Sequence, residues 1–367
     1  MPTALVYPYS YCIISFVDTM ILKQINIKNF RNFILASFSF NPFLTVVIGE
    51  NAKGKTNLLE AIYLALYGEG FRESKEDELI RFDQNNADVQ ASFASGDESF
   101  LFQISIKKNL TAVQKVFSIN KSKKKHFLYQ RETPKVVLFS PEQIEMITGS
   151  PEKRRKYLDF IIGSFDIEYR KRLINYENAL RKRNKVLEIY KDNETLKSEL
   201  SFWNSYLEEN GEYLTRQRQG RTDFLNVNRE VDSKEFRSEY KKNEFNISRL
   251  EEYFEIEKRY RKTVIGPQKD DFQISQKQGN KWKNIHHFGS RSEQRLGVFW
   301  LKFNEVKFLE ENLKTKPLLL LDDVFSELDI KNKKLIIDLV KKYQTIVTTT
   351  EIKLLDLIDM PKSIITL

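Results

Sequence analysis

The chain has 367 residues, of which 41% are apolar, 30% are charged and one is a cysteine. That length supports one large domain or two moderate ones with proper cores, and a lone Cys12 excludes an internal disulfide framework or a multi-cysteine metal site. Lys and Arg number 60 against 51 Asp and Glu, a net charge of +9 that points to a polyanionic partner, nucleic acid ahead of membrane, in a reducing cytoplasm.

Residues 1–19 hold apolar pieces but no Lys or Arg. They do not read as a signal peptide, and the expectation is an extension, or an over-extended start, ahead of a domain that starts at Met20. No stretch reaches the length of a membrane span. Residues 25–28 alternate apolar and polar, Asn29-Phe30-Arg31-Asn32 interrupts, and residues 36–40 alternate again. This predicts two antiparallel strands, and the β-branched run 44–48 predicts a buried third. Gly49-Glu50-Asn51-Ala52-Lys53-Gly54-Lys55-Thr56 follows in the pattern G-x-x-x-x-G-K-T. Leu58, Leu59, Ile62 and Leu66 then recur at helical spacing over residues 56–67, and Gly68 and Gly70 stop the helix.

Strand, glycine loop and helix in that order make a phosphate-binding loop. Its amides converge on phosphate oxygens at the positive end of the helix. Lys55 is placed to reach the β- and γ-phosphates and the Thr56 hydroxyl to ligate Mg²⁺. The chain is expected to bind a nucleoside triphosphate.

Further on, residues 89–93, 101–106 and 113–119 have strand character, with turns at Gly96-Asp97 and Lys108-Asn109. The basic run 121–125 before His126 fits an exposed turn or a DNA contact. Residues 136–139 form a short strand that Ser140-Pro141-Glu142 closes. Residues 151–260, rich in Lys, Arg, Glu, Leu and Tyr, predict long amphipathic helices. Their basic clusters at 170–172, 181–183, 216–221 and 258–262 fit a phosphate track or a solvated face equally. Strand character resumes at 263–265 and 271–274. A helix is predicted over 291–313, another over 332–343, and a last strand over 345–349.

Residues 317–321 are the most apolar short run, and Asp322-Asp323 follows it. A buried strand ending in two acids complements the phosphate loop. It is expected to run beside the loop-delivering strand, with Asp322 holding Mg²⁺ directly or through water and Asp323 accepting a proton from, or orienting, the attacking water.

The stretches V-x-G-E-N-A-x-G-K-T-N-L-L-E-A-I and L-L-L-L-D-D-V-F-S-E-L-D resemble the ATPase head of the ABC/SMC superfamily, and within it the RecF family. Further matches come in the same order: residues 27–32, Gly70-Phe71-Arg72, Phe139-Ser140-Pro141-Glu142, Gly149-Ser150-Pro151 with Arg154-Arg155, and Gly266-Pro267 with Asp270-Asp271. The resemblance implies an α/β fold, a P-loop head with mixed sheets and an inserted helical lobe. It divides the chain into an extension over 1–19, head over 20–150 and 261–367, and helical lobe over 151–260. It also implies a slow ATPase that binds ATP and Mg²⁺, dimerises with ATP, and grips single-stranded or gapped DNA to assist recombinase loading with RecO and RecR.

Ser290-Arg291-Ser292-Glu293-Gln294-Arg295 matches the family's signature motif, so the resemblance assigns Ser290 and Gln294 to the γ-phosphate held by an opposite subunit. Ser292 stands where the family usually has Gly, and Glu142-Gln143 where it usually has Glu-Asp. Ser326-Glu327-Leu328-Asp329 matches the D-loop, residues 348–350 match a switch position, and Arg31, Asn32 and Arg72 match nucleotide-side contacts. A transporter-type ABC ATPase and an ATP-gated effector nuclease are the alternatives. The basic helical insert and the Asp-Asp pair oppose the first, and the short chain after Thr350 opposes the second.

Overall fold

The computed structural model describes residues 19–72, 75–109, 112–190, 192–327, 330–350 and 359–367, leaving aside the side chains of 326–327 and 330–332. Residues 1–18 of the expected extension, and Leu328 and Asp329 of the expected D-loop, therefore lie outside the described residues. Ile21–Phe30 (β1) and Phe33–Ser39 (β2) form the expected antiparallel pair. Leu44–Ile48 (β3) is buried and leads through the loop into Lys55–Tyr67 (α1), which ends at Gly68 in a left-handed conformation, φ 83°. Asn86–Ser95 (β4), Glu98–Lys108 (β5), Val113–Ile119 (β6) and Ser122–Lys124 (β7) complete a six-stranded sheet in the order β2-β1-β4-β5-β6-β7.

The next segments are His126–Glu132 (α2), Val136–Phe139 (β8), Glu145–Thr148 (α3), Pro151–Gly163 (α4), Ile167–Ile189 (α5) and Asn193–Val227 (α6). Glu230–Val231 (β9) and Lys234–Lys241 (β10) then interrupt the helical run expected over 151–260, before Ile247–Tyr260 (α7) resumes it. Asp271–Gln278 (β11) and Lys281–Asn284 (β12) pair with β10 and β9 in a four-stranded sheet. Ile285–Phe288 (α8) and Arg291–Leu313 (α9) follow, the latter with the expected bounds. Leu318–Asp322 (β13), Ile330–Val340 (α10), Thr345–Thr349 (β14) and Lys362–Thr366 (β15) close the chain.

β3, β8, β13, β14 and β15 make a parallel sheet in the order β15-β3-β14-β13-β8. The central strands are buried on both faces, and β8 and β13 accordingly read as apolar runs, whereas β15 at the edge is exposed at alternate residues. Leu318 and Leu320 face a core shared with α1 and the six-stranded sheet, while Leu319 and Leu321 face a second core built on the helices. β14 separates β13 from β3, so the expected side-by-side placement of the acid-bearing strand and the loop strand is corrected. Parallel neighbours are joined through helical crossovers, and crossovers, not apolarity, set the order.

The strand expected at 263–265 is also absent. Side chains bind its amides instead: Asn184 Oδ1 accepts from Thr263 N at 2.8 Å and Glu257 Oε1 from Val264 N at 3.0 Å. No helix among the described residues is long and apolar enough to cross a membrane.

One buried cation gives this fold a measurable pH signature. Lys135 Nζ donates to Gln130 O at 2.7 Å and Ser164 O at 3.2 Å, and burial lowers its pKa from 10.5 to about 8. Between those values the unfolded chain holds more protons than the folded one, so stability rises with pH across the window. Below it the buried charge costs on the order of 3 kcal/mol. Melting temperatures should show wild type gaining on Lys135→Met as pH rises from 7 to 10; a constant difference would contradict this account.

Candidate nucleotide-binding site

The loop after β3 turns on two glycines. Gly54 has φ 109° and caps α1, and a Cβ there would lie 2.6 Å from Asn32 Nδ2. A Cβ on Gly49 would lie 2.7 Å from the Leu367 backbone oxygen. Neither position has room for a side chain, which keeps the backbone amides open at the start of α1. Between them, Glu50, Asn51, Ala52 and Lys53 are exposed or nearly so, and Ala52 adopts φ 64°. Lys55 is buried and folds its ammonium onto Gly49 O at 2.7 Å and Glu50 O at 2.9 Å. The ammonium thus lies inside the ring of the loop.

Despite the intervening strand, the two halves of the expected site meet. Thr56 Oγ1 donates to Asp322 Oδ1 at 3.0 Å, across 266 residues of chain. Thr348 Oγ1, on β14, donates to the same oxygen at 2.7 Å and accepts from Asp323 N at 3.0 Å. β14 is therefore the spacer that sets the carboxylate opposite the loop, and the expected switch position contributes through Thr348. Asp323 adopts φ 48°, a left-handed turn at the strand end, and its N–H donates to Thr348 at both the backbone oxygen, 3.2 Å, and Oγ1, 3.0 Å.

Burial raises the Asp322 pKa, the hydroxyls of Thr348 and Thr56 offset it in part, and the nearby Glu142 carboxylate raises it further. A buried carboxylate near a second acid, held by two hydroxyls at the mouth of a phosphate loop, concentrates negative charge that a cation would offset. The residues present fit Mg²⁺: Thr56 and Asp322 supply hard oxygen donors, and the loop amides and Lys55 face the position of phosphates.

A network that motif reading missed stiffens this loop. Asn32 Nδ2 donates to Lys53 O at 3.1 Å, Asn57 Nδ2 to Asn32 Oδ1 at 2.7 Å, and Arg72 Nη2 to Asn57 Oδ1 at 2.6 Å. Glu60, fully buried on α1, takes Arg31 Nε at 2.8 Å and Nη2 at 3.0 Å, and Arg72 Nη2 at 2.8 Å. Arg31 and Arg72, expected as nucleotide-side contacts, thus direct their guanidinium groups to Glu60. The signal was a single carboxylate on a helix with 11 buried residues among its 13.

Ser290 and Gln294 are not joined to this site within one chain. Ser290 caps α9, accepting from Glu293 N at 3.3 Å while Glu293 Oε2 accepts from Ser290 N at 2.7 Å. Against its desolvation, Lys283 and Ser290 hold the Glu293 carboxyl below the usual range. Gln294 is buried and donates to Ile285 O at 3.0 Å. Gln143 likewise accepts from Ser140 N at 3.2 Å in a capping box. The other matched motifs lock to each other: Arg154 grips Asp271 through Nε at 2.7 Å and Nη2 at 2.9 Å, and Arg155 Nη1 donates to Asp270 O at 2.7 Å.

Residues 21–366 match the family model described as the RecF/RecN/SMC N terminal domain. DNA replication and repair protein RecF of Clostridium botulinum (strain ATCC 19397 / Type A) is 30% identical over 354 residues, covering 92% of this chain and 94% of that protein. The protein of the same description from Natranaerobius thermophilus is 32% identical over 368 residues, covering 91% and 92%. Among solved structures, the recombination mediator protein RecF-ATPrS in the RecFOR pathway superimposes with a TM-score of 0.80 at 30% identity, covering 91% of this chain and 93% of that one.

Proposed function

The chain belongs to the RecF family, and on that premise we propose that it is an ATP-dependent DNA-binding protein of replication and recombinational repair. It works as an ATP-gated homodimer in the cytoplasm. The observation that carries the reading is the 3.0 Å bond from Thr56 Oγ1 to Asp322 Oδ1, which puts loop and acid around one volume. The ordered motif matches and the net charge of +9 support the nucleic-acid side.

In this reading residues 49–56 hold the triphosphate of ATP, Lys55 leaves its loop carbonyls for the β- and γ-phosphates, and Thr56 and Asp322 hold Mg²⁺. Bound Mg²⁺ supplies Lewis-acid neutralisation of phosphate charge. Asp323 orients a water for slow hydrolysis, which resets the dimer. Ser290, at the amino end of α9, faces the γ-phosphate held by the other subunit, with Gln294 setting the helix behind it; Ser292 in place of the usual Gly adds a Cβ at that contact. The γ-phosphate makes contacts in the closed dimer that it lacks in the monomer, so ATP shifts the population toward the DNA-gripping form. RecO and RecR are the expected partners at single-strand gaps.

The test is fluorescence anisotropy on gapped and blunt duplex DNA with and without Mg·ATP. Wild type should bind gapped DNA at least tenfold more tightly with ATP, a coupling of about 1.4 kcal/mol, and Lys55→Ala should lose that difference. DNA binding that ignores ATP in the wild type would refute the reading.

A further inference from the structure

The six-stranded sheet covers α1 with one face, through residues such as Ile25, Val89, Phe102 and Ile104. Its other face has a different chemistry. One row runs in register across all six strands: Ser37, Asn26, Gln90, Gln103, Ser118 and Lys123. At about 4.8 Å per strand the row is roughly 24 Å long. Asn26, Gln90, Gln103 and Ser118 make no side-chain hydrogen bond among the described residues, so a stripe of amides and hydroxyls stands open.

Lysines on these strands sort by face. Lys108, Lys115 and Lys124 point away from the open face and pair with Asp77 at 2.8 Å, Glu76 at 2.7 Å and Glu132 at 3.0 Å. Lys28, Lys107 and Lys123, on the open face, are exposed and have no carboxylate partner among the described residues. Asp88 is the one acid at an outward strand position, and it accepts from Ser105 Oγ at 2.5 Å. From strand spacing and rise, the three free lysines stand roughly 10–20 Å apart.

We propose that this face of the sheet is a docking surface for the sugar-phosphate backbone of duplex DNA, with Lys28, Lys107 and Lys123 neutralising phosphates and the Asn26–Gln90–Gln103–Ser118 row donating to backbone oxygens. Neutral donors and isolated cations are what sequence-independent backbone contact uses. A duplex fits this face by charge: its backbone offers regularly spaced anions to Lys28, Lys107 and Lys123 and acceptor oxygens to the amide N–H and hydroxyl donors between them. The inference rests on the DNA-binding reading above and specifies where one duplex segment lies.

The experiment is a salt series of duplex-DNA affinity, with Mg·ATP, for wild type, for Lys28→Gln/Lys107→Gln/Lys123→Gln, and for Gln90→Glu/Gln103→Glu. An arm variant on α5 of the helical lobe, Lys171→Gln/Lys182→Gln/Lys185→Gln, is the charge-matched comparison. ATP-analogue binding and melting temperature check that each variant is folded. The face triple should weaken binding about tenfold or more at 0.1 M salt and lower the log–log salt slope by about 2–3, near 0.9 per phosphate contact. The Gln90→Glu/Gln103→Glu variant should weaken binding with lysines intact. A face triple with wild-type slope, or a slope lost only in the arm variant, overturns the docking surface. Wild type that fails to bind duplex at any salt overturns the DNA-binding reading itself.

Discussion

Asp322→Asn is expected to move ATP affinity and stability in opposite directions. The carboxylate is buried, takes two hydroxyl donors, and its pKa is raised by burial. Asparagine keeps an acceptor for Thr56 and Thr348 but removes the charge that burial penalises, so melting without nucleotide should be unchanged or slightly higher. Magnesium-dependent ATP affinity and turnover should fall about 100-fold, since a lost metal ligand removes several kcal/mol of charge stabilisation. The pH dependence separates the two effects.

Because the folded pKa lies above the ordinary carboxylate value of 3.8, the nucleotide-free protein holds this proton more tightly than the unfolded chain. The group's contribution to stability therefore falls as pH rises between those two values. Cation binding needs the ionised form, so wild-type Mg·ATP affinity should fall as pH drops through the raised pKa. Calorimetric titrations taken from neutral into acidic pH should show a steeper fall in wild type than in Asp322→Asn, whose remaining slope belongs to the nucleotide phosphate. Equal slopes would place the cation elsewhere.

The largest stability effect is expected from Arg218→Met. Arg218 is buried on α6, where Nε and Nη2 reach Asp159 at 2.9 and 3.0 Å, and Nη1 reaches Pro267 O at 2.8 Å and Asp270 Oδ2 at 3.3 Å. Tyr169 on α5 and Tyr240 on β10 complete the cluster. One guanidinium thus ties α4 and α6 of the helical insert to the turn at 267–270 that leads into β11. Removing it leaves two acids in a low dielectric, which costs about 3–5 kcal/mol, or roughly 4–6 °C in melting temperature at this chain length. Arg218→Lys should rescue little, because an ammonium cannot reproduce the fork. A shift within a degree or two would show that the cluster carries no such burden.

That residues 49–56 and Asp322 would meet in one candidate site was legible because their signals are local. Residues 49–56 and 318–323 each carry their chemistry within one short stretch, and α9 is bounded by a cap at Ser290 that sequence displays. Pairing order was not legible: that β14 would lie between β3 and β13 depends on how crossovers pack, which no local pattern encodes. β10 escaped because Lys234–Lys241 offers Phe236, Ser238 and Tyr240 at alternate positions, too few apolar residues to compete with the surrounding helical periodicity. β15 was missed for being a five-residue strand with exposed edges. The reverse error at 263–265 has the same root. Three β-branched residues predict a strand, but Asn184 and Glu257 take the amides that a ladder would need.

Sedimentation velocity of wild type with and without Mg·ATP, beside Lys55→Ala, tests the central claim most directly. Wild type should convert from monomer to dimer with ATP, and Lys55→Ala should stay monomeric under both conditions. A wild-type oligomeric state that ignores ATP, or a Lys55→Ala chain that dimerises with it, would contradict the account.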